Sequence, residues 1–350
     1  MKNPLEYVRP NILALEPYST ARDEFEGGDI DIWLDANESP YDNGVNRYPD
    51  PRHKILKKRI SELKNVPKES IFIGGAGSDE AIDLTYRIFC EPAKHKALIL
   101  QPTYGVYAVA AQINNVGIVE LPLGEDFSLP VQKIIETTEN DKTIKLVWIC
   151  SPNNPTGNAF DLDDILLIAD RFDGIVAVDE AYVDFSTKGS LLSFISDHSN
   201  LIVLQTFSKA WGMAGLRCGM AFCMPELAAI YNNVKYPYNI NGPTQHTVFE
   251  MTRKQPLEEI NEIIEERKKL DSAFQKIGFV KKVYHSDANF LLVEVEKPNS
   301  LYQYLIGKGV IVRNRSKVPG CGTSLRFTVG TPGENKRIIE LMKQFEISGK

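Results

Sequence analysis

Residues 144–180 read IKLVWICSPNNPTGNAFDLDDILLIADRFDGIVAVDE. Two apolar runs, IKLVWIC at 144–150 and GIVAVDE at 174–180, flank a stretch with a helical pattern. Neither run alternates apolar with polar residues, as expected of strands buried on both faces of a mainly parallel sheet. The same reading extends outward to IFIG (71–74), ALIL (97–100), LIVLQT (201–206) and LRCGMAFC (216–223), again separated by helical patterns. The fold class is therefore α/β. The loops after these runs hold most of the Gly, Asn, Ser and charged residues of interest. Ligands of open α/β sheets sit beyond the carboxyl ends of the strands, so those loops are where a site is expected.

Beyond Pro256 the pattern changes. Leu257, Ile260, Ile263, Ile264, Leu270, Phe274 and Ile277 recur at helical spacing, and Gly278 is a plausible stop. The runs FLLVEV (290–295), GVIVR (309–313) and SLRFTVG (324–330) then predict strands of a smaller α+β unit, which ends in the helical GENKRIIELMKQFEI (333–347). The expected division is a large domain over 31–240 and a small C-terminal domain with its linking helix over 241–350. Residues 1–30 show no strong pattern and are expected to pack with the small domain.

Bulk properties exclude several classes. Of the 350 residues, 43% are hydrophobic and 25% charged, the balance of a soluble globular protein that needs no disulfide or metal for its core. A net charge of −6 speaks against nucleic-acid and membrane partners. Cys90, Cys150, Cys218, Cys223 and Cys321 lack metal-ligand spacing, and the odd separation of Cys218 and Cys223 puts them on opposite faces of one predicted strand. Free buried thiols and a cytoplasmic location follow. The histidines are scattered without an HExxH pair, so no catalytic metal is expected. The opening MKNPLEYVRPNILALEPY has no long apolar run of a signal peptide, and no stretch reaches membrane-spanning length.

Four segments carry chemistry. In LQTFSKAWGMAGLRCG (204–219), Lys209 follows a buried-type strand. A solvated surface lysine has no special reason to be there. The Thr206 and Ser208 hydroxyls and the Arg217 guanidinium suit a phosphate ester, and a lysine among phosphate ligands is what a pyridoxal phosphate aldehyde requires. In VDEAY, Asp179 ends an apolar strand, where an ionised carboxylate needs a cationic partner; a protonated pyridine nitrogen is one. Taken alone, Asp179 reads better as a helix N-cap. Tyr182, and Asn154 in CSPNNPTG (150–157), are placed to reach the ring's phenolic oxygen, although that turn also explains itself as a rigid turn. In IFIGGAGSDEAI (71–82) a glycine-rich turn leads into a helix opening at Ser78, whose free N–H groups favour an anion. The third glycine of a dinucleotide fingerprint and the GK of a nucleotide loop are both missing. Tyr104, in QPTYGVY, offers a face for stacking.

These segments, with EPYSTAR (16–22), LDANESP (34–40), NRYPDP (46–51) and LRFTVGT (325–331), occur in the order and approximate spacing of fold-type I aminotransferases. The chain resembles the histidinol-phosphate branch of that family over about residues 16–331. The resemblance implies pyridoxal 5'-phosphate as cofactor, with Lys209 as the Schiff-base lysine, Asp179 on the pyridine nitrogen, and Asn154 and Tyr182 on the phenolic oxygen. It implies Gly77, Ser78, Asp79, Thr206, Ser208 and Arg217 around the cofactor phosphate and Tyr104 stacked on the ring. Tyr48 resembles a tyrosine that crosses a homodimer interface to the neighbouring subunit's cofactor phosphate.

For substrate, the resemblance implies Arg326, Arg313, Tyr18 and Asn37. The two arginines take the phosphate of L-histidinol phosphate, a substrate without a carboxylate, and the carboxylates of 2-oxoglutarate go to the same cations. Two positions depart from the pattern: Trp211 stands where phenylalanine is expected, and Arg315 adds a further cation. An aromatic-amino-acid aminotransferase and a phospho-amino-acid decarboxylase share these features and remain open. A regulator fused to a DNA-binding module would need more chain before LDANESP.

Overall fold

The computed structural model describes residues 2–20 and 30–347. Seven strands form the larger sheet: β1 (Ile71–Gly77), β2 (Lys96–Gln101), β3 (Gly117–Pro122), β4 (Ile144–Cys150), β5 (Ile175–Asp179), β6 (Leu201–Thr206) and β7 (Gly219–Phe222). Their order is β1-β7-β6-β5-β4-β2-β3. Only β7 runs against the rest, pairing antiparallel with both β1 and β6. The other strands therefore deliver their carboxyl ends to one edge.

Alternation along the strands fills two cores. Val147, Ile149, Val176, Val178 and Val203 point to one face, Leu146, Trp148, Ile175, Ala177 and Leu204 to the other. Every residue of β5 and β6 is buried, which is why these strands are apolar up to the polar residues at their carboxyl ends, Asp179, Gln205 and Thr206. Cys218 and Cys223 flank β7 and fall in opposite cores, as their spacing predicts; all five cysteines are free and buried.

The smaller sheet is antiparallel, ordered β10-β11-β9-β8, from β8 (Val280–Val283), β9 (Phe290–Val295), β10 (Arg313–Asn314) and β11 (Ser324–Thr328). Leu291, Val293, Leu325 and Phe327 face a third core with the helices Pro298–Gly307 and Pro332–Ile347. Phe290 and Leu292 point the other way and join a core of the large sheet. Helix Leu257–Phe274 spans the two units: Ile260 belongs to that same core, Leu270 and Phe274 to the third.

The structure corrects some expectations. The run GVIVR is not a strand: only Arg313 and Asn314 pair, while Gly309 turns with φ +75° and Ile311 is 73% exposed. β3 and β8 escaped the sequence reading because both are edge strands, one ending in proline and one with two lysines between valines. The N-terminal segment does not lie on the small unit where it is described. Val8 enters a core of the large sheet, and Arg9 Nε bonds Glu91 Oε2 at 3.0 Å. Ala21 and Arg22 of EPYSTAR lie outside the described residues. Helix Gly242–Met251, beyond the expected boundary at 240, packs on helix Lys54–Lys64 and puts Val248 into a core of the large sheet.

Candidate active site

A cavity of about 410 Å³ lies at the carboxyl edge of the parallel strands. Gly77 ends β1 at φ +76° and caps helix Ser78–Phe89, whose first N–H groups open onto the cavity. β7 begins so close by that a Cβ on Gly219 would sit 2.2 Å from Ser78 N. Only glycine permits that approach. Arg217, left-handed at φ 52°, accepts from Gly77 N at 2.8 Å through its carbonyl. Its Nη2 donates to Ala76 O at 2.9 Å and lies 3.4 Å from Asp79 Oδ2. Asp79 thereby steadies the arginine, and Tyr104 Oη donates to its other oxygen at 3.2 Å.

From the end of β6, Thr206 Oγ1 donates to Ser208 Oγ at 3.0 Å and accepts from Ser208 N at 3.1 Å. Two hydroxyls, a helix N-terminus and a guanidinium thus converge on one end of the cavity, a set of donors suited to an oxyanion. Lys209 extends into the same cavity, its Nζ 5.5 Å from the Tyr182 ring centre. The surrounding protein and then Arg326 lower its pKa, against the pull of Asp179 and Asp79. A lysine so placed more readily becomes the neutral amine that attacks carbonyls and takes protons.

Asp179, at the end of β5, is 3% exposed. Its Oδ1 accepts from Ala181 N at 3.0 Å and its Oδ2 from Tyr107 Oη at 2.8 Å. Burial raises its pKa, while Tyr107, Ala181 and Lys209 oppose the rise. A carboxylate held this way, without a contacting cation among the described residues, suits a positively charged ring nitrogen.

A further side of the cavity comes from the small sheet. Because Leu325 and Phe327 face the third core, Arg326 between them faces the large sheet, with its guanidinium 5.0 Å from the Phe290 ring centre. Arg326 Nη1 donates to Asn154 Oδ1. That bond leaves the Asn154 amide N–H groups free to donate elsewhere in the cavity. Arg313 is the register partner of Arg326 and lines the same cavity.

Three of the expected residues are not brought there. Tyr18 is 75% exposed. Asn37 and Tyr48 line a separate hollow of about 750 Å³ with residues around Asn241, and Tyr48 stacks on Tyr238 at 4.4 Å. Within one chain none of the three lines the arginine cavity.

Two residues were missed or undervalued. Tyr107 lies in the quoted QPTYGVY, but nothing in that string distinguishes it from Tyr104. The structure buries it in the first turn of helix Val106–Ile113, stacked on Trp148 at 4.7 Å with its hydroxyl on Asp179. Arg315 lines the cavity beside Arg313 and Arg326. The adjacent asparagines also separate. Asn153 ties the turn to the loop after β2, donating to Pro102 O and accepting from Thr103 Oγ1, both at 2.9 Å, while Asn154 faces the cavity.

The family model for aminotransferase class I and II matches residues 23–341. The chain belongs to that family. The aminotransferase is 47% identical over 349 residues to the histidinol-phosphate aminotransferase of Parabacteroides distasonis, covering 99% of this chain and 100% of that one. It is 44% identical to the enzyme of the same name from Christiangramia forsetii, over 97% of each. Among solved structures it resembles the histidinol-phosphate aminotransferase of Clostridium acetobutylicum with a TM-score of 0.80 at 25% identity, covering 87% and 92% of the two chains. A Sinorhizobium meliloti structure of the same name, in complex with pyridoxal-5'-phosphate, shares the fold with a TM-score of 0.80 at 19% identity over 87% and 84%. The fold is the fold-type I aminotransferase fold, as the sequence leads one to expect.

The cavity of this aminotransferase fits pyridoxal phosphate at three points. An oxyanion cradle lies at the β1, β6 and β7 ends, a buried carboxylate at the β5 end, and a lysine between them. No helix among the described residues is long and apolar enough to cross a membrane.

Proposed function

We propose that this aminotransferase transfers the amino group of L-histidinol phosphate to 2-oxoglutarate. The products are imidazole-acetol phosphate and L-glutamate, in histidine biosynthesis. The observation that carries the reading is the pairing of Arg313 with Arg326 across β10 and β11, at the rim of the cavity that holds Lys209. An anion-bearing tail bound there leaves the substrate amine near Lys209. The names of the full-length relatives support the same choice.

Pyridoxal phosphate, when bound, supplies the carbonyl that accepts the amino group and a ring that withdraws electrons from the substrate carbon. Ser78, Thr206, Ser208 and Arg217 would hold its phosphate, with Gly77 and Asp79 shaping that end. Tyr104 would cover the ring face. Asp179 would keep the ring nitrogen protonated, and Asn154 and Tyr182 would donate to the phenolic oxygen. Lys209 Nζ takes the proton from the substrate carbon and returns it one position away, as base and then acid. Nucleic acid, membrane and metal have no part in this scheme, and the setting is the cytoplasm.

Single-turnover kinetics test the substrate. Histidinol phosphate should give imidazole-acetol phosphate faster than phenylalanine gives phenylpyruvate. Arg326→Ala should slow the histidinol phosphate reaction about 10- to 150-fold, the cost of a charge-assisted hydrogen bond lost from the transition state. A faster reaction with phenylalanine would make the chain an aromatic-amino-acid aminotransferase.

The active form in this proposal is a homodimer. Segment 32–48 carries Ile32, Leu34, Tyr41, Val45 and Tyr48 at 51–87% exposure, a density of apolar surface that a second copy would cover. Tyr48 would then reach the other subunit's phosphate cradle, and Tyr18 and Asn37 would meet substrate in the assembled dimer. Refolding a mixture of Tyr48→Ala and Lys209→Ala chains should restore activity, because one site of each hybrid has both residues intact. Hybrids as inactive as their parents, beside wild-type controls that refold, would confine Tyr48 to its own chain.

A further inference from the structure

Three guanidinium groups, rather than two, are arranged on one face of the small sheet. Arg313 is paired with Arg326, and Arg315 N donates to Ser324 O at 3.0 Å, continuing the β10–β11 ladder. Side chains two apart on an extended strand share a face. Arg313 and Arg315 therefore point the same way, and Arg326 points there too; all three line the cavity. None of them forms an ion pair with a described residue. The Nε atoms of Arg315 and Arg326 are buried without hydrogen-bond partners among the described residues, and Arg326 spends one Nη on the Asn154 carbonyl.

We propose that Arg315 completes a three-guanidinium subsite that selects a phosphate dianion over a carboxylate at the tail of the substrate. The inference rests on the phosphate-ester reading above and specifies what enforces it. A carboxylate has one charge and two oxygens, and one planar fork satisfies it. A phosphate monoester has up to two charges and three terminal oxygens, enough to engage two forks and a third donor. Clustered cations beside a protein wall repel one another until an anion arrives. Burial, then Arg326 and Arg313, already lower the pKa of Arg315. A dianion relieves that repulsion more fully than a single charge does. The cluster thus works against carboxylates as well as for phosphates, since a bound carboxylate leaves part of the repulsion in place.

The test is calorimetric binding to the holoenzyme of two amine-free probes, imidazolylpropyl phosphate and imidazolylbutyrate. Arg315→Gln should weaken the phosphate probe by about 10-fold or more and the carboxylate probe by less than about threefold. Arg315→Lys, which keeps the charge but loses the fork, should fall between wild type and Arg315→Gln for the phosphate probe. The unchanged absorption spectrum of bound cofactor serves as the check that each variant is folded. Equal losses for both probes, or a phosphate affinity within about twofold of wild type, would overturn the role of Arg315 alone. A wild-type enzyme that binds the carboxylate probe as tightly as the phosphate would overturn the phosphate reading and the role of Arg315 together.

Discussion

Lys209→Ala should lose at least about 10³-fold in turnover, since both proton transfers are assigned to its amine and general acid–base groups contribute on the order of 10²–10⁴-fold. The wild-type protein should be yellow, and borohydride should fix pyridoxal phosphate to the peptide that contains Lys209. An adduct mapped to any other lysine would remove the assignment at its root. The geometry behind this expectation is local. Lys209 stands just past β6, between the oxyanion cradle and Tyr182, and is lowered in pKa by its surroundings and by Arg326. Added methylamine should recover part of the Lys209→Ala loss if the missing group is an amine of suitable basicity. No recovery with amines of graded size would point to a structural lysine.

Asp179→Ala should retain cofactor in part, because the phosphate cradle is built from other strands, yet turn over on the order of 10²–10³-fold more slowly. The expected loss lies in the charge that Asp179 would stabilise on the ring nitrogen, not in the hold on the ring. Titrating cofactor into the apoprotein separates the two, with affinity expected to fall far less than turnover. Near-normal rates would mean that another carboxylate does the work. Tyr107→Phe is a useful companion, since it keeps the ring stacked on Trp148 and removes only the hydroxyl that donates to Asp179.

What was legible in the sequence follows from what kind of constraint each residue answers to. β4 runs from Ile144 to Cys150, the same residues as the run IKLVWIC, because burial on both faces excludes polar residues from all of it but the partly exposed Lys145 near its start. Asp179 stood out because a carboxylate ending such a run has an obvious cost. β3 and β8 lie at sheet edges, where half the side chains meet solvent and the pattern weakens. GVIVR looked like a strand from its β-branched residues, but Gly309 and the exposed Ile311 leave only its end to pair. The hydroxyl of Tyr107 finds Asp179 across 72 residues of chain, a contact that no local string encodes. Tyr18 is exposed, and Asn37 and Tyr48 line a separate hollow, so the placement expected of them from sequence is not met within the single chain.

The groups proposed to react and the groups proposed to grip the substrate hang from different sheets. Asp179 and Lys209 follow strands of the seven-stranded sheet, whereas Arg313, Arg315 and Arg326 belong to the four-stranded one. Their cores are largely separate, joined through Ala288, Phe290, Leu292, Cys321 and the first turns of helix Leu257–Phe274. Substrate preference can therefore drift under selection, or be redesigned, by exchanging residues on two short strands whose substitution leaves the proton-transfer apparatus in place. Arg326 and Asn154 are the exceptions, because Arg326 lowers the pKa of Lys209 and is itself held by the Asn154 carbonyl. Through these two a change of clientele would be felt by the chemistry, and Asn154 is the first place to look for a compensating substitution.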